Sequence, residues 1–83
     1  MLSSPQIRAA RALLRWTADT LAIKSGIGVA TIRRLELMEG VPSGNVKTLL
    51  AIKTALEEAG VEFVGTPNEG AGVRFKSTGN NAH

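Results

Sequence analysis

The chain of 83 residues contains no cysteine, and its single histidine is His83 at the C-terminus. Without a thiol the chain can form no disulfide and offers no cysteine nucleophile or soft metal ligand. The sequence also contains no metal-ligand spacing and no phosphate-binding loop. We therefore expect no enzyme, no metal and no cofactor. A catalytic site of the Ser/Asp or Glu/Lys type, formed by residues distant in sequence, is the remaining alternative. Mutation of Ser25 and Asp19 would test it.

Long apolar segments are also missing. The uncharged stretches are too polar and too interrupted by Gly and Ser to span a bilayer, and the N-terminus has no apolar segment of the signal-peptide type. We therefore expect a cytoplasmic protein without a membrane partner. A chain of this length buries only about 60% of the surface that its unfolded form exposes, so we expect one small domain with a thin stability margin.

Charge is distributed unevenly along the chain, whose formal net charge is +3. Residues 1–36 carry six basic and two acidic side chains, whereas residues 37–72 carry two basic and five acidic ones. A basic surface attracts polyanions such as nucleic acid. The N-terminal half is therefore the candidate surface for a polyanion, although ordinary solvated helix charges would give the same composition.

Capping residues and terminators predict four helices. Ser3, Thr17 and Asn45 are favourable N-caps, and Gly26 and Gly60 are favourable left-handed terminators. The predicted helices are Gln6 to Leu14 after a start at Ser3-Ser4-Pro5, Ala18 to about Lys24, Gly28 to about Leu37, and Asn45 to Gly60, with a loop over residues 39–44. The fourth helix has an apolar repeat at helical spacing, formed by Val46, Leu49, Leu50, Leu56 and Ala59.

After residue 60 the apolar period changes from 3.6 to 2, which predicts two short strands over residues 61–63 and 73–76. The turn-rich residues 65–72 between them form a long connection for a hairpin. Residues 77–83 show no periodicity, and we expect a disordered tail there. An isolated two-stranded ribbon is marginal in water. The ribbon must therefore pack its apolar side chains either on helices 1 and 4 or against the ribbon of a second chain. The apolar side chains are Val61, Phe63, Val73 and Phe75.

The third helix has two different sides. On a helical wheel Ile32, Leu35 and Glu36 lie together, on the side that would face a core. The opposite side is formed by Ala30, Arg34 and Leu37, with Arg33 on its flank. Ala22 removes bulk where helix 2 would cross helix 3, and the following Gly26 permits a sharp turn. Helices 2 and 3 therefore form a helix-turn-helix arrangement.

Residues 6–59 contain a pattern of small, apolar and charged residues at Arg11, Trp16-Thr17, Leu21-Ala22, Gly26-Ile27, Thr31-Ile32, Leu35-Glu36, Gly40 and Pro42. In residue type and spacing this pattern resembles the helix-turn-helix proteins of the Cro and phage-repressor type, also called the XRE family. The end of the chain is similar to a compact bacterial and prophage subgroup whose short chains finish in strands. The resemblance implies a mainly α fold, with a four-helix lambda-repressor-like domain over residues 1–60 and a small C-terminal β ribbon over residues 61–76.

The resemblance implies that the third helix enters the DNA major groove through Val29, Ala30, Arg33 and Arg34. Arg34 faces outward and suits guanine, Ala30 suits a thymine methyl group, and Arg33 on the flank suits phosphate. Further contacts to DNA are expected around this helix, from Thr17, Arg15, Asn45 and Lys47. A helix N-terminus such as that at Asn45 suits an anion, although a plain Asn cap accounts for it equally well.

Four positions depart from the family pattern. Ala18 stands where the family has a Gln that contacts phosphate or base, and Gly28 stands where a Ser or Thr caps the recognition helix. Thr20 replaces the Glu of a capping box. Arg15 stands where family members often have Gly, which adds a candidate phosphate contact. DNA binding is expected to survive these changes, whereas the particular DNA sequence that is read does not transfer.

Three further positions have structural roles in the family. Arg11 and Glu36 meet there as a partly buried ion pair that ties helix 1 to the end of the recognition helix. Trp16 occupies a position that the family keeps apolar, so we expect a core side chain rather than a base-stacking platform. Because one partner of a buried pair cannot be removed without a large cost in stability, Arg11 is a poor residue for testing DNA contact.

The sequence therefore predicts a homodimeric, sequence-specific regulator of transcription that binds double-stranded DNA and acts as a repressor. We prefer a dimer formed through the ribbon, because one motif offers only a modest interface with DNA. The alternative is a protein-binding adaptor of antitoxin or anti-repressor type, which uses the same helical face or a strand edge. Leu37, predicted to point outward beside the arginines, favours that alternative.

Overall fold

A computed structural model describes residues 2–38, 45–66 and 68–76 of the chain. Within these residues the chain forms four helices and one antiparallel pair of strands. In chain order they are α1 (Ser4–Leu14), α2 (Ala18–Ser25), α3 (Val29–Leu37), α4 (Val46–Glu58), β1 (Val61–Thr66) and β2 (Glu69–Phe75). The fold is mainly α with a small β ribbon, as predicted. The predicted loop over residues 39–44 and tail over residues 77–83 lie outside the described residues.

The helices begin at the predicted caps. The side chains of Ser3, Thr17 and Asn45 each accept a hydrogen bond from an amide in the first turn of α1, α2 and α4, respectively. Such a bond satisfies one of the amides that a helix start leaves unpaired. Gly28 precedes α3 without a side-chain cap. Gly26 ends α2 with φ 75°, a left-handed conformation that costs other residues about 1–2 kcal/mol, so the sharp turn to α3 depends on this glycine.

One hydrophobic core joins all four helices and β1. Its fully buried large side chains are Ile7, Leu21, Ile32, Leu35, Ile52, Leu56 and Val61. Trp16 is half-buried and packs against this core, which confirms the predicted core role. Burial of one such aliphatic side chain stabilises the fold by about 1.5–3 kcal/mol. None of the described helices has both the length and the apolar character needed to cross a membrane.

Two members of the apolar repeat in α4 lie outside the core. Val46 is 76% exposed and Leu50 is 57% exposed, whereas Ile52 and Leu56 are fully buried. With Ile52 at the centre of the buried side, helical geometry places Leu50 about 160° away. The repeat therefore predicts the helix correctly, but it does not define the side that faces the core.

The two strands are longer than predicted. They pair in a register that sets Val61 opposite Phe75 and Phe63 opposite Val73, and the pairing continues past an irregularity near Thr66. The long connection predicted over residues 65–72 is therefore wrong, because most of it belongs to the strands. Gly65 explains the difference: it has φ 74°, and a Cβ atom there would lie 2.8 Å from the carbonyl oxygen of Glu69. A turn-forming residue such as Gly65 is therefore needed within the paired part of the ribbon, and its presence does not mark an unpaired connection.

The ribbon packs on α1 and α4 of its own chain, which is the first of the two predicted options. Val61 is buried, and Phe63 and Val73 pack against the core, while Phe75 stays 55% exposed. The Gln6 side-chain amide donates hydrogen bonds to the carbonyl oxygens of Gly72 at 2.9 Å and Val64 at 3.4 Å. The inward side of the ribbon is thus covered without a second chain.

A cross-strand ion pair lies on the exposed side of the ribbon. Arg74 Nε donates to Glu62 Oε1 at 2.9 Å. This hydrogen bond and the charge of the guanidinium lower the pKa of the Glu62 carboxyl. The same hydrogen bond and the charge of the carboxylate raise the pKa of Arg74. Both side chains are solvated, and surface pairs of this kind contribute little to stability. The pair therefore helps to define the register more than the strength of the ribbon.

Candidate nucleic-acid interface

The two sides of α3 are divided as the wheel predicts. Ile32, Leu35 and Glu36 are buried. The exposed positions of the helix are Ala30, Arg33, Arg34 and Leu37. The exposed side therefore presents two guanidinium groups beside one methyl side chain, and it ends in a leucine that is 84% exposed.

The turn between α2 and α3 is fixed by Ser25, a role that was not among the predictions from the sequence. Its hydroxyl donates to the carbonyl oxygen of Leu21 at 2.7 Å and accepts from the amide of Ile27 at 3.2 Å. The amide of Gly26 donates to the carbonyl oxygen of Ala22 at 2.9 Å. A serine beside a terminating glycine could have indicated this role, because serine hydroxyls often bond to nearby backbone groups. These bonds fix how α3 leaves α2.

The ion pair expected from the family resemblance is present. Arg11 Nε donates to Glu36 Oε2 and Arg11 Nη2 donates to Glu36 Oε1, both at 2.7 Å, and Arg11 Nη1 donates to the carbonyl oxygen of Trp16 at 3.0 Å. The hydrogen bonds to Glu36 raise the pKa of Arg11 further above its ordinary value. The side chains are 23% and 8% exposed. A pair of this geometry ties α1 to the last turn of α3.

Two more side chains of α1 bind the C-terminal end of α3, and no local pattern in the sequence predicts these contacts. The Ser4 hydroxyl donates to the carbonyl oxygen of Leu35 at 2.7 Å. Arg8 donates through Nη1 to the carbonyl oxygen of Glu36. Carbonyl groups at a helix end have no partner within the helix, so these donors satisfy them. Arg8, one of the six basic residues in the N-terminal half of the chain, thus binds the end of α3.

The predicted contacts outside α3 lie at helix ends. Arg15 is exposed at the end of α1 and has φ 57°, a positive φ that no other non-glycine residue in the described part of the chain adopts. Thr17 is exposed, and its hydroxyl oxygen accepts from the amide of Thr20 at 3.1 Å. Asn45 Oδ1 accepts from the amide of Lys47 at 2.8 Å, and both residues are exposed. Thr17 and Asn45 therefore serve as caps.

Val29 differs from the other predicted residues of α3. It is half-buried and packs against the core, whereas Ala30 is exposed one position later. The structure thus brings Ala30, Arg33 and Arg34 together on one exposed side and leaves Val29 turned partly away from it. An interface built on this side would use Val29 chiefly to hold the first turn of the helix.

The charges of Arg33 and Arg34 are not neutralised within the described ranges. The ion pairs found there are Arg11–Glu36, Lys53–Glu57 and Arg74–Glu62. The same ranges contain no cluster of three or more metal-ligating side chains. The exposed side of α3 can therefore offer two fork-shaped hydrogen-bond donors to an acceptor outside the chain.

Comparison with known proteins gives no assignment. No protein-family model matches the chain, and no curated protein is significantly similar to it. Function is therefore inferred from the residues and their geometry.

Proposed function

We propose that this protein is a sequence-specific DNA-binding regulator of transcription, with a lambda-repressor-like helix-turn-helix and the role of a repressor. One observation supports this most: Arg33 and Arg34 lie exposed on a short helix whose other side is buried. An α-helix with its side chains is about 10–12 Å across, and the major groove of B-DNA is about 12 Å wide. Helix α3 in the groove would bring both guanidinium groups to the DNA.

The residues of α3 take different roles in this proposal. Arg34 lies opposite the buried side, where its two parallel N–H groups suit O6 and N7 of guanine, a contact worth about 1–3 kcal/mol of discrimination. Ala30 suits the methyl group of thymine. Arg33 lies on the flank and meets phosphate before it meets a base. Arg34 is thus assigned to specificity and Arg33 to affinity.

The helix ends around α3 complete the proposed interface. Arg15 contacts phosphate from the end of α1. Thr17 and Asn45 cap α2 and α4, whose N-terminal ends carry the positive end of the helix dipole and suit a phosphate. Lys47 in the first turn of α4 adds a positive charge. Phosphate contacts of this kind position α3 but do not read sequence.

Repression follows from occupancy of an operator. We propose that two copies of the chain bind two half-sites of one operator, because a single motif of this size offers only a modest interface. Half-sites contacted by a two-fold dimer lie about 34 Å apart, one turn of B-DNA. The family resemblance suggests a bacterial or prophage gene as the target and the cytoplasm as the location.

Selection from random DNA duplexes tests this function and requires no known operator sequence. The full chain is immobilised, and the bound duplexes are amplified and sequenced over several rounds. We expect enrichment of one motif with inverted half-sites. The same selection with Arg33→Ala/Arg34→Ala is the control and should lose the motif. Sequences that stay random with the unmodified chain would contradict the proposal.

A protein-binding adaptor is the second candidate function, and one observation favours it. Leu37 is 84% exposed beside the two arginines, and an exposed leucine within a basic surface suits a protein groove. Affinity capture from a nuclease-treated lysate separates the candidates. A stoichiometric partner that is lost with Leu37→Asp and kept with Arg34→Ala would favour the adaptor.

A further inference from the structure

We propose that the exposed side of α4 is a homodimer surface, on which α4 of a second copy lies antiparallel. The proposal goes beyond the function above, which requires two copies but does not assign a surface to them. The ribbon, the surface that the sequence favours, already packs its inward side on α1 and α4 of its own chain. The exposed side of α4 has no such cover among the described residues.

This exposed side, the α4 stripe, consists of Lys47, Leu50, Thr54 and Glu58. Spacings of three, four and four residues keep the stripe on one side of the helix. It borders a shallow groove of about 410 Å³, whose far wall is formed by Lys24 and Ser25 at the end of α2. A second helix laid along the stripe would therefore contact α4 and the end of α2 together.

The charges of the stripe identify a second copy as the occupant. Lys47 lies in the first turn of α4 and Glu58 at its last residue, about 16 Å apart at 1.5 Å per residue. Within residues 2–38, 45–66 and 68–76, neither side chain makes an ion pair. In an antiparallel pair of α4 helices, each Lys47 lies opposite the partner's Glu58, and two-fold symmetry makes this contact twice. A parallel pair would instead set like charges against each other.

The middle of the stripe fits the same arrangement. The point midway between Lys47 and Glu58 also lies midway between Leu50 and Thr54, within half a residue. An antiparallel partner therefore places its Leu50 beside Thr54 and the small Ala51, and the reverse contact follows by symmetry. Leu50, 57% exposed in the single chain, would then be covered. The antiparallel helix dipoles add a favourable contribution.

The size of the stripe sets the strength of the dimer. A helix of 13 residues is about 20 Å long. Its exposed side alone is small against the roughly 1,000 Å² that a stable interface buries. We therefore expect a weak dimer that forms in the micromolar range and depends on concentration. In this dimer Lys47 contacts the partner's Glu58, so of the phosphate contacts proposed above only that of Lys47 would be given up. The phosphate contacts proposed for Arg15, Arg33 and the helix ends at Thr17 and Asn45 do not involve the stripe.

Sedimentation velocity of the full chain tests the surface without DNA, so a failure of DNA binding cannot be mistaken for a failure of the dimer surface. Between about 1 and 500 μM we expect the mean mass to rise from 8.7 kDa towards twice that value. Glu58→Lys should weaken the dimer at least about tenfold, because two attractive contacts become repulsive. Glu69→Lys makes the same change of charge on the exposed hairpin and should leave the dimer unchanged. Leu50→Gln should also weaken it.

The double variant Lys47→Glu/Glu58→Lys is the decisive one. It exchanges the two charges and restores their attraction only if each lies opposite the other, so dimerisation should recover in it. Circular dichroism checks that every variant stays folded, which the exposure of the substituted residues favours. A chain that stays at 8.7 kDa throughout would overturn the proposal. A dimer that survives Glu58→Lys and Leu50→Gln but dissociates with Phe75→Asp would overturn it too, and would place the contact on the ribbon.

Discussion

Arg11 and Glu36 meet in a two-pronged ion pair, in which two guanidinium nitrogens each donate to a different carboxylate oxygen at 2.7 Å. The pair joins α1 to the last turn of α3. A helix of nine residues would not be stable in isolation, so its position depends on such contacts. The arginines on its exposed side are thus presented by a helix that α1 fixes in place before any ligand binds.

Loss of this ion pair should destabilise the fold. We predict that Arg11→Ala lowers the free energy of unfolding by about 2–4 kcal/mol, because it leaves a buried carboxylate without its partner. The lower bound allows for the partial exposure of Arg11, which is 23%. Urea denaturation followed by circular dichroism measures the change. A loss below about 0.5 kcal/mol, the size found for many solvated pairs, would show that the pair does not fix α3.

The amide of Gln6 should hold the ribbon to α1. Gln6→Met removes its donors to Gly72 and Val64 together with the acceptor for the amide of Ser3, and it should cost about 1–3 kcal/mol. Ser3→Ala is the matched control: it removes the side-chain cap of α1, at about 1 kcal/mol, and one hydrogen bond to Gln6 Oε1, but it keeps both donors of Gln6 to the ribbon. Hydrogen exchange should show faster exchange of amides in residues 61–75 with Gln6→Met alone. Equal protection of the ribbon in both variants would contradict this role.

Arg15 should trade stability for DNA affinity. Its positive φ of 57° costs a side chain about 1–2 kcal/mol, which the greater freedom of an unfolded glycine only partly offsets. We predict that Arg15→Gly raises the free energy of unfolding by about 0.5–1 kcal/mol. The same change should weaken DNA binding and reduce the slope of log Kd against log salt by about 0.9, the effect of one lost phosphate contact. Unchanged DNA affinity in this variant would show that Arg15 makes no contact with a DNA phosphate.

Local signals predicted most of the helical part of the fold. Caps at Ser3, Thr17 and Asn45 act on amides two or three residues away, so the sequence contains both the cap and its partner. The side of α3 that faces the core follows from its period for the same reason. The exposure of Leu50 was harder to predict, because an apolar repeat indicates a helix but does not show which of its side chains are buried.

Long-range contacts were not predictable from local patterns. The partners of Gln6 in the ribbon lie 58 and 66 residues away, and Ser4 contacts Leu35 across 31 residues. Nothing near Gln6 in the sequence indicates that one amide serves both a helix cap and a ribbon. The roles of these α1 side chains became visible only when the packing of the whole chain was known.

The most direct test of the central claim compares two variants that lose the same charge. Arg33→Ala/Arg34→Ala and Arg74→Ala/Lys76→Ala each lower the formal net charge from +3 to +1, but only the first alters the exposed side of α3. Fluorescence anisotropy with the duplex obtained by selection, at several salt concentrations, measures the affinity of each. We predict that the α3 variant binds at least about thirty-fold more weakly, as expected for one base contact and one phosphate contact, while the ribbon variant stays within a few-fold of the unmodified chain. Equal losses in the two variants would show that net charge alone binds DNA, and would contradict the account.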